Sequence, residues 1–329
     1  MQYKSNKGYT GVGQLGMLLL FLGAGLMLTT VLQVVIGFSI VPPGTPLSQI
    51  GTAMLEALKD PANVSASRML QVVGTLCVLF IPAALYSWVC NGKNPFWLGF
   101  NKYLNLYQVA IGFLLIFMAN LLAMPLQELS KKVIALFPAL NALGKSLEAA
   151  YNEQVVLLSN LKSIPEYILA LVIMAFFPAM FEEVFFRGAL QNILVKWWKN
   201  PFLGILVTAL IFSFIHLSVY LFVSRAILGF VLGLIYFKTK NIWINIIAHF
   251  LNNAIAVSQM FLLSAKKAKL DVSELDPKVD WWVGLLAIGI LVVFFKLLDK
   301  HSETNKMNIY TREQALLIHE PNGNPLTSN

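Results

Sequence analysis

Charged residues are scarce in this chain. Of its 329 residues, only 12% are Asp, Glu, Lys or Arg, while 57% are hydrophobic. Soluble domains carry about 25% charged residues, so the composition excludes an ordinary soluble domain and indicates a polytopic membrane protein. The formal net charge is nevertheless +8. In a membrane protein, we interpret this excess as lysine and arginine flanking the spans, and we expect no nucleic-acid partner.

Cysteine is nearly absent as well. Cys77 and Cys90 are the two cysteines, and their spacing is not that of metal ligands. The sequence therefore predicts neither a disulfide framework nor a zinc–thiolate site. No internal repeat is visible. The first apolar run lacks an obvious small-residue cleavage site, so we interpret it as a retained first span and not as a cleaved signal peptide.

Long apolar runs are abundant and predict an all-α bundle of about eight transmembrane helices. The predicted spans are about 14–40, 69–89, 104–125, 165–198, 201–219, 221–237, 242–263 and 281–298.

The stretches between the spans differ in character. Residues 41–68 are predicted to form a polar loop, and 126–163 an amphipathic interfacial helix or helical insert. The tail from Asp299 is polar and is predicted to be flexible. Lysine placement predicts that both termini lie inside. We therefore divide the chain into three parts. Residues 1–163 hold the N-terminal spans and the insert, 164–263 the core that carries the motifs, and 264–329 the last span with its tail.

Three ionisable side chains lie in the middle of the apolar run 164–198, namely Glu182, Glu183 and Arg187. A charge at bilayer depth costs on the order of 3 kcal/mol, so such residues indicate a functional site. On an α-helix, Glu183 and Arg187 lie at i and i+4, within reach of an ion pair. Glu182 points about 100° away and must face another helix. The alternative is a buried ion pair that only holds helices together.

Two histidines also lie in the predicted spans: His216, and His249 with Asn253 one helical turn further on. At ~1.5 Å per residue from the turn near position 200, Glu182 and His216 lie about 27 and 24 Å deep. His249 and Asn253 lie about 12 and 18 Å beyond the turn near 241. We expect helix tilt, commonly about 20°, to offset this difference in depth, so that the four residues line one pocket. For each histidine alone, a plain interhelical hydrogen bond remains an alternative.

Three short motifs thus occur in order on three predicted helices: Glu182-Glu183-x-x-x-Arg187, Phe212-x-x-x-His216 and His249-x-x-x-Asn253. This ordered set, within about 165–258, resembles the CPBP family. These are the CAAX prenyl endopeptidase and bacteriocin-processing (Abi) membrane proteins, which include the eukaryotic Ras-converting CAAX protease.

The resemblance implies an intramembrane glutamate-dependent endopeptidase. By this analogy Glu182 would be the general base that activates water, and His216 would share that water. His249 and Asn253 would donate hydrogen bonds to the oxyanion, and Arg187 would hold the second glutamate. These residue types suit the task, since peptide hydrolysis needs a base beside water and donors aimed at the developing negative oxygen. No cofactor and no metal is expected.

Several alternatives stay open. Two histidines and a glutamate could bind zinc, although no His-Glu-x-x-His helix is present and the residues lie on separate helices. A non-catalytic scaffold, immunity or regulatory protein of the same fold is a second alternative. A transporter is a third, but it would need polar groups along a whole pathway.

The expected partners are the lipid bilayer and a membrane-embedded or lipid-anchored protein or peptide substrate. We expect a multi-pass protein of a bacterial cell membrane.

Overall fold

The computed structural model describes residues 3–158, 161, 163–266 and 279–319. Helices dominate this part of the chain, and no strand occurs in it apart from one bridge between Lys4 and Thr10. The helices are α1 (Gly11–Ile40), α2 (Ile50–Lys59), α3 (Pro61–Cys90), α4 (Leu106–Ala135), α5 (Pro138–Leu158), α6 (Ile164–Trp198), α7 (Pro201–Phe214), α8 (Phe222–Thr239), α9 (Ile242–Lys266) and α10 (Trp281–His319).

Seven of these helices are long and apolar enough to cross a membrane, namely α1, α3, α4, α6, α8, α9 and α10. Helix α7 is equally apolar but has only 14 residues, whereas a full crossing needs about 20. Each of the eight predicted spans corresponds to one helix, but in the described chain seven of these helices, and not eight, are long enough to cross. The predicted all-α polytopic bundle is confirmed, and the chain is an integral membrane protein.

Some predicted boundaries were wrong. The span predicted over 201–219 ends at Phe214, so residues 215–221 form a turn before α8. The predicted polar loop 41–68 contains α2. The first part of the predicted insert 126–163 extends α4 to Ala135, and α5 follows it.

The tail was predicted to be flexible from Asp299, but α10 continues to His319. Its buried residues Leu298, Ser302 and Ile309 lie on the side that faces the bundle. The side-chain amide of Gln108 donates to the hydroxyl of Ser302 at 2.9 Å. Packing on α4 therefore holds a polar segment in a helix that its composition alone would not predict. Most of the charged stretch 264–280, and the tail beyond 319, lie outside the described residues.

The two ends of the described chain meet at one face of the bundle. A Cβ at Gly11, at the start of α1, would overlap the ring of Trp197 near the end of α6. Lys196, at the end of α6, forms an ion pair of 3.7 Å with Glu313 of α10. This agrees with the prediction that both termini lie on the same side, while the side itself stays a prediction.

Helix α6 lies at the centre of the bundle. Every residue of the stretch Val184–Gln191 is buried, so neighbours surround the helix on all sides. This stretch is π-helical, and so is Leu171–Phe176. Pro178 has no backbone N–H to donate, which helps to explain the irregular turn before it. The two glutamates therefore lie between two π-helical stretches, a feature that is frequent at functional sites.

Candidate active site

The structure brings four of the six predicted site residues to one cavity. Glu182 of α6, His216 of the turn after α7, and His249 and Asn253 of α9 all line a cavity of about 370 Å³. This volume falls within the range of about 300–1,000 Å³ that is typical of small-ligand sites. The other two predicted residues, Glu183 and Arg187, are not among the residues that line the cavity.

Glu183 is fully buried and its carboxylate is bound from three sides. Arg187 Nη1 lies 2.8 Å from Oε1, which confirms the predicted i, i+4 ion pair. His249 Nδ1 lies 2.9 Å from the same oxygen, and Asn245 Nδ2 donates to Oε2 at 3.1 Å. These contacts compensate the buried charge, as a buried carboxylate requires.

Arg187 is also fully buried. Its Nη2 donates to the carbonyl of Gly229 on α8 at 3.0 Å. The guanidinium carbon lies 4.9 Å from the centre of the Phe212 ring. The same ring lies 4.8 Å from the His216 ring and 6.3 Å from the His249 ring, between centroids. Phe212 therefore separates the buried ion pair from His216 and helps to fix both imidazoles.

Glu182 is the glutamate that faces the cavity. Its side chain is 15% exposed, and Oε2 lies 3.9 Å from Nε2 of His249. That separation is too long for a hydrogen bond. As predicted, Glu182 faces another helix. The adjacent glutamates thus have different surroundings, one saturated by hydrogen bonds and one open to the cavity.

The two histidines are oriented through their Nδ1 atoms. Nδ1 of His216 lies 2.7 Å from the carbonyl oxygen of Phe212. Because a carbonyl only accepts hydrogen bonds, this nitrogen must carry the proton. Nδ1 of His249 faces the charged carboxylate of Glu183 and is protonated by the same argument. In each neutral ring, Nε2 is therefore the proton acceptor.

Helix rise alone predicted different depths for Glu182 and His249. The position of the turn before α9 accounts for this difference. The backbone amide of Ile242, at the start of α9, donates to the carbonyl of Gly99 at 3.0 Å. The neighbouring Leu98 carbonyl packs against Gly188, and a Cβ at Gly188 would lie 2.8 Å from it. Gly188 precedes the turn at Asn200 by twelve residues, or about 18 Å. Helix α9 therefore starts deeper in the bundle than the turn at Asn200. This offset brings His249 to the depth of Glu182 without helix tilt.

Three polar or charged residues near the site were missed in the sequence. Asn245 lies four residues before His249, so the same helical spacing could have revealed it. Arg225 lines the cavity from α8. Asn252 also lines it, and its Oδ1 accepts from Asn120 Nδ2 of α4 at 2.5 Å.

No arrangement typical of a metal site is seen in the part of the chain that the structure describes. No group of three His, Cys, Asp or Glu side chains there is placed to hold a metal ion. One imidazole nitrogen of His249 already contacts Glu183. Metal independence itself stays a prediction.

Residues 164–255 match one family model, described as type II CAAX prenyl endopeptidase Rce1-like. The match runs from the start of α6 into α9 and includes all six predicted site residues. No curated protein and no solved structure matches the chain. The predicted resemblance to the CPBP family is thus confirmed: over residues 164–255, the chain is similar to the Rce1-like type II CAAX prenyl endopeptidases.

Proposed function

We propose that this protein is an intramembrane endopeptidase that hydrolyses peptide bonds of membrane-embedded or lipid-anchored substrates through a glutamate-activated water. One observation carries the proposal. Of two adjacent glutamates, Glu183 is saturated by three partners, whereas Glu182 faces a cavity beside two imidazoles and an amide. A general base must be within reach of water and free to accept a proton, and Glu182 meets both conditions.

In the first step, the Glu182 carboxylate takes a proton from water while the water oxygen attacks the carbonyl carbon of the substrate. Nε2 of His216 accepts a hydrogen bond in the tautomer that its contact with Phe212 favours. His216 can therefore orient the water through its second hydrogen. Positioning of this kind is what lowers the entropic part of a barrier.

The developing oxyanion needs donors, and the side-chain amide of Asn253 is one. His249 is a second donor only when Nε2 is protonated, because Glu183 already receives its Nδ1 proton. When the C–N bond breaks, the protonated Glu182 returns its proton to the leaving amine.

The most direct test compares membranes that contain the wild type with membranes that contain Glu182→Gln, looking for protein termini that only the wild type produces. A purified transmembrane or lipidated reporter peptide should be cleaved by the wild type and not by the variant. Full cleavage by Glu182→Gln would reject this base. If the wild type releases no termini and cleaves no reporter, the alternative of a non-catalytic scaffold or regulatory protein is favoured.

We further propose that no cofactor or metal takes part, so that cleavage should survive dialysis against a chelator. Loss of activity that added zinc restores would instead support the zinc-dependent alternative. We place the protein in the cell membrane of a bacterium, which fits the bacteriocin-processing members of the family it resembles.

A further inference from the structure

A second arginine, Arg225, lines the same cavity as Glu182 from the first turn of α8. It is half-buried, and it belongs to a helix apolar enough to span a membrane. Charged side chains at such positions are costly and usually mark a substrate or ion site. The mechanism proposed above gives Arg225 no role, so this cation needs an explanation of its own.

The contacts of Arg225 differ from those of Arg187. Nη1 of Arg225 donates to the backbone carbonyl of His216 at 3.3 Å. Its guanidinium carbon lies 5.3 Å from the centre of the Tyr151 ring on α5. Within the described residues no carboxylate forms an ion pair with Arg225, whereas Arg187 has Glu183 at 2.8 Å. Arg225 is thus oriented by its neighbours, and the carboxylate of Glu182 acts on it only from beyond ion-pair distance.

A guanidinium that is held in place but has no carboxylate at ion-pair distance is suited to bind a carboxylate ligand. It carries five N–H donors in a rigid plane, and this fork matches a carboxylate in a two-point contact. Such bonds are among the strongest hydrogen bonds in proteins. The ring of Tyr151 and the carbonyl of His216 fix the fork beforehand, which reduces the entropy lost on binding.

The rest of the cavity suits a peptide chain. Gln71 and Gln154 line it together with Asn252, so amide groups are available to a peptide backbone.

We propose that Arg225 is a specificity-determining residue that binds a carboxylate of the peptide substrate close to the cleaved bond. The inference rests on the proposed endopeptidase function. An extended peptide advances about 3.3 Å per residue, so a carboxylate at Arg225 lies within a few residues of a peptide bond placed at Glu182. The carboxylate can belong to an acidic side chain or to the C-terminus of the chain that is cleaved.

Binding is the first test, because it does not depend on turnover. The full chain with Glu182→Gln, in detergent, is titrated with three fluorescent apolar peptides: one with an acidic side chain and an amidated end, one neutral with a free C-terminal carboxylate, and one neutral and amidated. We expect at least one carboxylate peptide to bind about tenfold or more tightly than the neutral amide. The peptide that does so identifies the source of the carboxylate.

Adding Arg225→Gln should abolish this preference and leave the affinity for the neutral peptide unchanged. Arg68→Gln is the matched control. Arg68 is buried and donates to the carbonyl of Leu158 on α5 at 2.8 Å. Like Arg225, which contacts Tyr151, it therefore packs against α5. Unlike Arg225, it does not line the cavity. Equal affinity for all three peptides would overturn the proposal. So would a uniform loss of affinity in Arg225→Gln that Arg68→Gln reproduces.

Turnover provides a separate readout in chains with Glu182 intact. Arg225→Gln should raise the KM for the preferred carboxylate peptide about tenfold and change kcat little. A fall in kcat with an unchanged KM would contradict a role in substrate recognition. If no variant cleaves any peptide while the binding preference persists, the endopeptidase function is wrong and the carboxylate site stands.

Discussion

Asn245 donates from its side-chain amide to Oε2 of Glu183 at 3.1 Å, from a position one helical turn before His249. The same amide donates to the carbonyl of Leu232 at 2.8 Å, which ties α9 to α8 at this point. Glu183 of α6 therefore binds α9 directly, and its partners Asn245 and Arg187 extend the contact to carbonyls of α8. The glutamate next to it, Glu182, has the cavity instead. The same substitution at Glu182 and at Glu183 should therefore change the stability of the protein by very different amounts.

Glu183→Gln should lower stability strongly, because the buried Arg187 would lose its counter-charge. Removal of one partner from a buried ion pair costs about 3–5 kcal/mol. Glu182→Gln should leave the melting temperature nearly unchanged, since that side chain is partly exposed to the cavity. Thermal unfolding of both variants in the same detergent measures the contrast. Equal melting temperatures would show that Glu183 is not the structural member of the pair.

Asn245→Leu should reduce both stability and turnover. It leaves Oε2 of Glu183 without its amide donor, which costs about 1–3 kcal/mol, and it loosens the carboxylate that orients His249. The expected sign of a positioning role is a lower kcat at a nearly constant KM.

The matched control is Asn192→Leu. Asn192 donates to the hydroxyl of Tyr236 at 2.8 Å and does not line the cavity. It should lose similar stability without loss of turnover. If both variants lower kcat by the same factor, the effect of Asn245 is general loosening and not positioning.

Local periodicity predicted much of this fold. The spans follow from runs of apolar residues, and the ion pair of Glu183 with Arg187 follows from the i, i+4 spacing of a helix. Both depend on residues close in sequence. The extension of α10 was missed because composition gives only the polarity of the segment, whereas its order depends on contacts with α4.

The missing parts of the site are contacts between distant segments. Arg225 contacts the carbonyl of His216 in the turn that follows α7, and the early end of α7 at Phe214 is a boundary that apolar composition does not reveal. The depth of His249 depends on the contact between Ile242 and Gly99, which are 143 residues apart. Neither relationship has a local signal.

Lys240 lies in the turn between α8 and α9, outside the spans, and should make stability depend on pH. Burial lowers the pKa of its ammonium group to about 8, and the nearby charge of Lys196 adds to the shift. In an unfolded chain the pKa of lysine is about 10.4. Between these two values the unfolded state binds more protons, so the free energy of unfolding should rise as the pH increases from about 8 to about 10.4.

Melting temperatures of the wild type and Lys240→Met across this range provide the measurement. The variant should lose most of the rise and be the more stable protein at pH 7, where the wild type still buries the charge. A parallel pH dependence of the two proteins would assign the rise to other groups.

At Gly25, α1 lies directly against the π-helical stretch of α3, Leu76–Phe80. A Cβ at Gly25 would overlap the backbone carbonyl of Cys77, which cannot move aside as a flexible side chain can. Small residues allow such close helix contacts in membranes. Gly25→Ala should therefore lower the free energy of unfolding by about 1–3 kcal/mol.

Gly23→Ala, two residues earlier on α1, is the matched control for this contact. A Cβ there meets no atom of the described chain within 4 Å. It should be neutral or stabilising by up to about 1 kcal/mol, since alanine favours a helix more than glycine does. Thermal unfolding in one detergent compares the pair directly. Because both changes alter helix propensity equally, a lower melting temperature for Gly25→Ala alone isolates the contact with α3, and equal shifts would mean that α1 can move away from α3 without cost.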